Sequence, residues 1–121
     1  CFSEVAGYSK FGSYTGNGST DGTFIFTGFR PAWLMVKAIS QSSGYWLMLD
    51  STRRTFNPNG ISSSLYANEN STENTFGNAT GIDFVSNGFK IRDDLVFVNA
   101  SNQTIVYFAF AESPFKYSRA R

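Results

Sequence analysis

Apolar positions along this chain recur with a period of two, the pattern of strands. Between 33 and 39, Leu34, Val36 and Ala38 share one face, and Trp33, Met35, Lys37 and Ile39 share the other. This run predicts a central strand. The polar stretch 40–44 predicts a hairpin loop, and 45–50 a strand returning antiparallel to the first. Short strands are predicted over 11–15, 23–27, 65–67, 82–85, 89–92 and 95–98. In 23–27, Phe24 and Phe26 share a face, and Pro31 beyond it lacks a ladder donor. Ser86-Asn87-Gly88 predicts a tight turn in which Asn and Gly take positive φ, with Phe89 and Ile91 inward after it and Lys90 and Arg92 outward. No window places apolar residues at i, i+3, i+4 and i+7 behind a cap, so no helix is predicted.

The last strand, 104–112, is apolar on both faces, with Ile105, Tyr107, Ala109 and Ala111 on one and Val106, Phe108 and Phe110 on the other. Two apolar faces predict cover on both sides, by another sheet or another unit. Phe108, Phe110 and the nearby Phe115 are therefore candidate subunit contacts. Polar residues dominate 51–64 and 68–81, which predicts surface loops, because such residues cannot repay the entropy of ordering. About nine strands joined by polar turns predict an all-β fold: a two-layer antiparallel β-sandwich, jelly-roll or lectin-like, with few or no helices.

A chain of 121 residues is one domain with room for a real core. Ten basic against nine acidic residues leave no strongly basic face in the totals, so nucleic acid is not an expected partner. No run of 18 apolar residues is present, so no helical membrane insertion is expected. The absence of histidine and the single cysteine narrow the chemistry further. Ser-His-Asp and Cys-His catalysis need an imidazole. Common zinc and copper sites need His or several thiolates. A disulfide within the chain needs a second Cys. No catalytic residue, metal site or cofactor is expected. Asp50, Asp83, Asp93 and Asp94 carry hard oxygen ligands, but no Asp-X-Asp-X-Asp loop frames them, and a solvated turn is the favoured reading of Asp93-Asp94.

Five of the ten asparagines, Asn17, Asn70, Asn78, Asn99 and Asn102, open Asn-X-Ser/Thr sequons. These signal either a glycosylated surface or the shared turn preference of Asn, Gly, Ser and Thr, and turn chemistry is favoured. Cys1-Phe2-Ser3-Glu4 followed by Tyr8-Ser9-Lys10 echoes Ala109-Phe110-Ala111-Glu112 followed by Tyr117-Ser118-Arg119. The echo, in a chain that opens on Cys, predicts a repeating unit: residues 1–10 as the terminal strand and linker of a preceding related unit, and 11–121 as the sandwich domain.

Four segments in order carry a resemblance: Tyr8-Ser9-Lys10-Phe11-Gly12-Ser13-Tyr14-Thr15-Gly16-Asn17-Gly18-Ser19; Thr27-Gly28-Phe29-Arg30-Pro31-Ala32-Trp33; Asp83-Phe84-Val85-Ser86-Asn87-Gly88-Phe89-Lys90-Ile91-Arg92; and Tyr107-Phe108-Ala109-Phe110-Ala111-Glu112-Ser113-Pro114-Phe115-Lys116. The chain resembles an uncharacterised C-terminal domain of large tail-fibre-like and other exposed virion proteins of marine tailed phages. The stretch 57–81 follows that pattern least. The resemblance implies an extracellular module on the virion surface, no transferable catalytic motif and, by analogy with fibres, a homo-oligomer such as a trimer. Within it, Tyr45, Trp46, Arg53 and Arg54 are candidate ligand-binding residues, the aromatics for stacking on sugar rings and the arginines for acidic groups. Tyr45 and Trp46 point to opposite faces of a strand, so only one is easily exposed. The expected function is a tail-fibre or spike module binding host surface glycan through many weak contacts. The alternative is a capsid-decorating or head-fibre protein bound to other virion proteins. An enzyme acting on polysaccharide is the remote reading.

Overall fold

The computed structural model describes residues 1–41, 44–53, 64–73 and 81–113. Arg54 and Phe115, two of the candidate site residues, lie outside the described residues, as do Asn78 and most of 57–81. The strands are β1 (Ser9–Thr15), β2 (Phe24–Phe26), β3 (Pro31–Ala38), β4 (Leu47–Asp50), β5 (Leu65–Tyr66), β6 (Ile82–Val85), β7 (Gly88–Ile91) and β8 (Thr104–Ala111). One helical turn, α1 (Val96–Asn99), precedes β8. The strands form two antiparallel sheets, one of five strands in the order β1-β8-β3-β4-β5 and one of three in the order β2-β7-β6. This is an all-β sandwich.

The alternation in β3 places Leu34, Val36 and Ala38 in the core with no exposed surface. β3 pairs with β4 from Trp33–Asp50 to Val36–Leu47, so the predicted hairpin is present. On its other side β3 pairs with β8, aligning Leu34 with Ala109 and Val36 with Tyr107. Ile105, Tyr107 and Ala109 thereby share the inner face with the β3 aliphatics and with Leu47 and Leu49. The smaller sheet closes over them with Ile25, Ile82, Phe84, Phe89 and Ile91. Tyr14 joins this core from β1, its ring 6.1 Å from Phe89 and its hydroxyl donating to the Val98 carbonyl at 2.7 Å. Pro31 sits at the first position of β3, where its missing N–H costs little, and the register slips between Pro31 and Trp33.

Two local expectations are corrected. The stretch 95–98 was expected to be a strand and is instead a helical turn. Its cause is local hydrogen bonding: the Asp93 carboxylate accepts the Leu95 N–H at 3.1 Å, and the Leu95 carbonyl accepts the N–H groups of Val98 and Asn99. An Asp bonding the backbone two residues on starts a turn, and here that beats the β-preference of Val-Phe-Val. The hairpin between β6 and β7 has Ser86 and Asn87 at its centre, since Val85 pairs with Gly88. Neither Asn87 nor Gly88 takes positive φ. The turn is held from outside, the Asn87 carbonyl accepting the N–H groups of Thr27 and Gly28 at 3.0 and 3.1 Å. Gly88 serves a different need: a Cβ there would run into the Ile25 carbonyl of the neighbouring strand.

Residues 1–8 lie against the five-stranded sheet. Val5 bridges to Ser9, and the buried Ser9 hydroxyl accepts the Val5 N–H and donates to the Ser3 carbonyl. Ser9 and Lys10 are already part of β1. Cys1 is exposed.

Candidate functional site

Strand registers build the candidate site directly. Phe11 opposes Phe108, Phe108 opposes Met35, Met35 opposes Met48 and Met48 opposes Leu65. One apolar row thus crosses all five strands on the sheet's outer face. The next row holds Ser9, Phe110, Trp33 and Asp50. No second sheet covers these rows among the described residues. The residues of the first row are all half-buried, because they shield one another.

The shielding is ring against ring. Phe11 meets Phe108 edge-on at 5.6 Å and Phe110 edge-on at 5.9 Å. Trp33 lies 5.6 Å from Phe110, and Tyr8 meets the same ring edge-on at 6.1 Å. Trp46 stacks on Phe108 at 5.8 Å, with the Lys37 ammonium 5.0 Å from its centroid. Phe2, 83% exposed, leans on Phe11 and Phe110 at 6.2 and 5.9 Å. Such pairs each add about 0.5–1.5 kcal/mol beyond area burial. The outer face is thus partly ordered from within its own plane. Both tryptophans of the chain lie on it.

Ion pairs border this face. Lys10 and Glu4 meet at 2.6 Å at the β1 edge, and the Glu4 carboxylate raises the Lys10 pKa through its hydrogen bond and charge. Arg30 pairs with Glu112 at 3.0 Å and donates to the Phe84 carbonyl, tying the end of β8 to the smaller sheet. Asp50 pairs with Arg53. Partial burial pushes the Asp50 carboxyl up, but bonds from the Arg53 backbone and guanidinium, the Arg53 charge and the Thr52 N–H together hold it below the usual range.

The three described ligand-binding candidates, Tyr45, Trp46 and Arg53, do not form one platform. Tyr45 packs on Tyr66 at 4.7 Å and edge-on to Phe97 at 6.0 Å, while Trp46 turns the other way onto Phe108. Opposite faces for Tyr45 and Trp46 are what strand geometry predicts, although β4 itself begins only at Leu47. Arg53 is engaged by Asp50 and by Glu73 at 3.7 Å. Phe108 and Phe110, the subunit-contact candidates, sit at the middle of the aromatic face. Sequence reasoning did not assemble their partners Phe11, Met35, Met48 and Leu65, and the signal for them is cross-strand register rather than any local pattern.

A second constellation is polar and closed. Asn99, 0% exposed, donates its amide to the Asn17 side chain, the Ser19 carbonyl and the Asp93 carbonyl, and accepts the Asn17 N–H. The Asn99 carbonyl takes the Gly18 N–H at 2.7 Å. Gly16 is required here, since a Cβ would collide with the Ala100 carbonyl. Asn99 is therefore a latch between loop 16–22 and α1, and its sequon is closed to glycosylation in the folded protein. Asn17, Asn70 and Asn102 are exposed. Asp93 spends its carboxylate on the N–H groups of Leu95 and Gly81. Among the described residues no three His, Cys, Asp or Glu side chains converge as metal ligands. Among them, too, no helix is long and apolar enough to cross a membrane.

The fold and its outer surface define the class: a two-layer antiparallel β-sandwich domain whose larger sheet carries an aromatic outer face with no second sheet over it among the described residues. Within that class, the chain belongs to the family described as Domain of unknown function (DUF7483), whose model matches residues 1–114. No curated protein and no solved structure matches the chain.

Proposed function

We propose that this domain is a non-catalytic assembly module at the exterior of a phage particle, docking its outer aromatic face on a protein surface. The observation that carries the reading is the apolar row Phe11-Phe108-Met35-Met48-Leu65, which spans every strand of the larger sheet and has no second sheet over it among the described residues. Large contiguous apolar surface on a folded domain marks an interaction site. The ring geometry favours a protein partner over a sugar. Sugars stack on open, flat ring faces flanked by hydrogen-bonding side chains, whereas Phe11, Phe108 and Phe110 interlock edge to face and Trp46 already carries Phe108 and Lys37. The virion setting rests on the sequence resemblance alone. Within it the capsid-decorating or head-fibre role fits better than glycan capture through Tyr45, Trp46, Arg53 and Arg54.

Binding of the chain to isolated virion subunits and to host surface polysaccharide, measured in parallel with wild type and Phe108→Ser, tests this. The expected result is subunit binding that Phe108→Ser reduces at least tenfold, and no uptake of polysaccharide. Polysaccharide binding that Trp46→Ala abolishes would return the tail-fibre reading, and release of sugar from the polymer would overturn the non-catalytic one.

A further inference from the structure

We infer that the outer aromatic face pairs with the same face of a second copy of this chain. The inference rests on the reading of that face as a protein-docking surface and names its occupant. Three observations point to self-pairing.

The first is what already lies on the face. Cys1-Phe2-Ser3-Glu4 matches Ala109-Phe110-Ala111-Glu112, the end of β8, in the spacing of its Phe and its Glu. Phe2 lies against Phe11 and Phe110. The molecule thus shows this face accepting a piece of sequence that imitates the end of β8, one of its own strands. A second copy would bring Phe108 and Phe110 on a rigid strand, where Phe2 comes from a terminal segment.

The second is charge. Lys10 with Glu4, Arg30 with Glu112 and Arg53 with Asp50 pair within the chain around the border. The net charge is +1. Like-charge repulsion, which normally keeps identical surfaces apart, is small here.

The third is size. Strands of this length and spacing give a patch of about 500 Å² in plan. Two such patches meeting bury roughly 1,000 Å² in total, the lower limit for a specific interface. An interface at that lower limit pairs weakly between isolated domains and strongly where many copies are held together. Identical patches meeting face to face make a two-fold dimer.

Sedimentation equilibrium from about 1 to 200 μM, read beside tryptophan emission, tests the inference. Trp33 and Trp46 both lie on the face, so pairing moves emission to the blue as mass doubles. Phe108→Ser should weaken the dimer at least tenfold, and Phe2→Ser, which removes the intramolecular occupant of the same ground, should strengthen it. Phe2 is so exposed that its replacement leaves folding intact, which keeps the test valid if Phe108→Ser is unstable. Phe26→Ser, at a 63% exposed ring on the other sheet, should change nothing. A monomer at every concentration overturns the inference, as does a trimer or a dimer that only Phe26→Ser weakens. A monomeric chain that still loses virion-subunit binding in Phe108→Ser would sink self-pairing and leave the docking reading standing. If that binding is also absent in wild type, both fall.

Discussion

The two faces of β8 carry similar amounts of apolar side chain and are stabilised in different ways. On the inner face, Ile105, Tyr107 and Ala109 meet β3, β4 and the opposite sheet, and solvent is nearly excluded. On the outer face, Val106, Phe108 and Phe110 have no second sheet over them among the described residues, and all three stay half-buried. Phe108 and Phe110 meet the rings of Phe11, Trp33 and Trp46 and of Phe2 and Tyr8 from the segment before β1. The inner face uses mainly aliphatic groups, which interdigitate between layers. The outer face uses aromatic rings, whose edge-to-face contacts need no second layer. The inner face therefore stabilises the fold, and the outer face retains apolar area for a partner.

Paired truncations in β3 and β8 are the most severe way to break this contrast. Leu34→Ala removes a fully buried side chain at the centre of the core and is expected to cost about 2–5 kcal/mol in urea unfolding. Phe108→Ala, a larger truncation one strand away on the outer face, should cost less than Leu34→Ala, because water already reaches that site. Equal losses would mean that the outer face is core under another name, and the docking proposal would lose its basis.

How far the sequence disclosed this division depends on the residue. Alternation in 33–39 and 45–50 was enough to orient Leu34, Val36 and Leu49, because Lys37 and Asp50 mark the outer side. In β8 both faces are apolar, so alternation alone could not say which one is core. That choice is set by register with β3, which aligns Ala109 with Leu34. The apolar row across five strands was invisible for the same reason: its members are up to 97 positions apart along the chain and adjacent only through pairing. Phe108 and Phe110 stood out as singular apolar residues, and Trp46 as an aromatic, but nothing local joined them. Arg53 reads as a free cation until the turn after β4 folds Asp50 back onto it. Asn99 reads as a turn residue or a sequon, and its burial depends on loop 16–22, some 80 positions away.

That latch sharpens the comparison, because it joins two loops across one end of the inner layer, whereas the buried Ser9 hydroxyl on the outer face ties down only residues 3–5. Asn99→Ala leaves the Asn17 N–H without its acceptor in a half-closed site and frees the Ser19 and Asp93 carbonyls. An expected loss of roughly 2–3 kcal/mol follows from unmaking these bonds in a buried position. The melting temperature should fall while tryptophan emission of the folded state stays as in wild type, since Trp33 and Trp46 are on the other side of the sheet. A change in that emission would show that the two faces are coupled after all.

The smallest effect separates the faces by pH. Burial raises the Tyr14 pKa well above its ordinary 10, and burial also raises that of Tyr107, with Lys10 opposing and Glu4 reinforcing the rise. A tyrosine with a raised folded pKa leaves stability untouched below pH 10. Above it the unfolded chain loses protons that the folded protein keeps, so stability declines as pH rises toward the folded pKa. Tyr14→Phe removes the bond to the Val98 carbonyl, worth about 1 kcal/mol at pH 7. It also removes one titrating group from the core, so its deficit against wild type should narrow between about pH 10 and 12. Unfolding curves at stepped pH read this directly. If the two proteins lose stability in parallel above pH 10, Tyr14 is not shielded by the layers in the way its burial implies, and the closed character of the inner face would have to be given up.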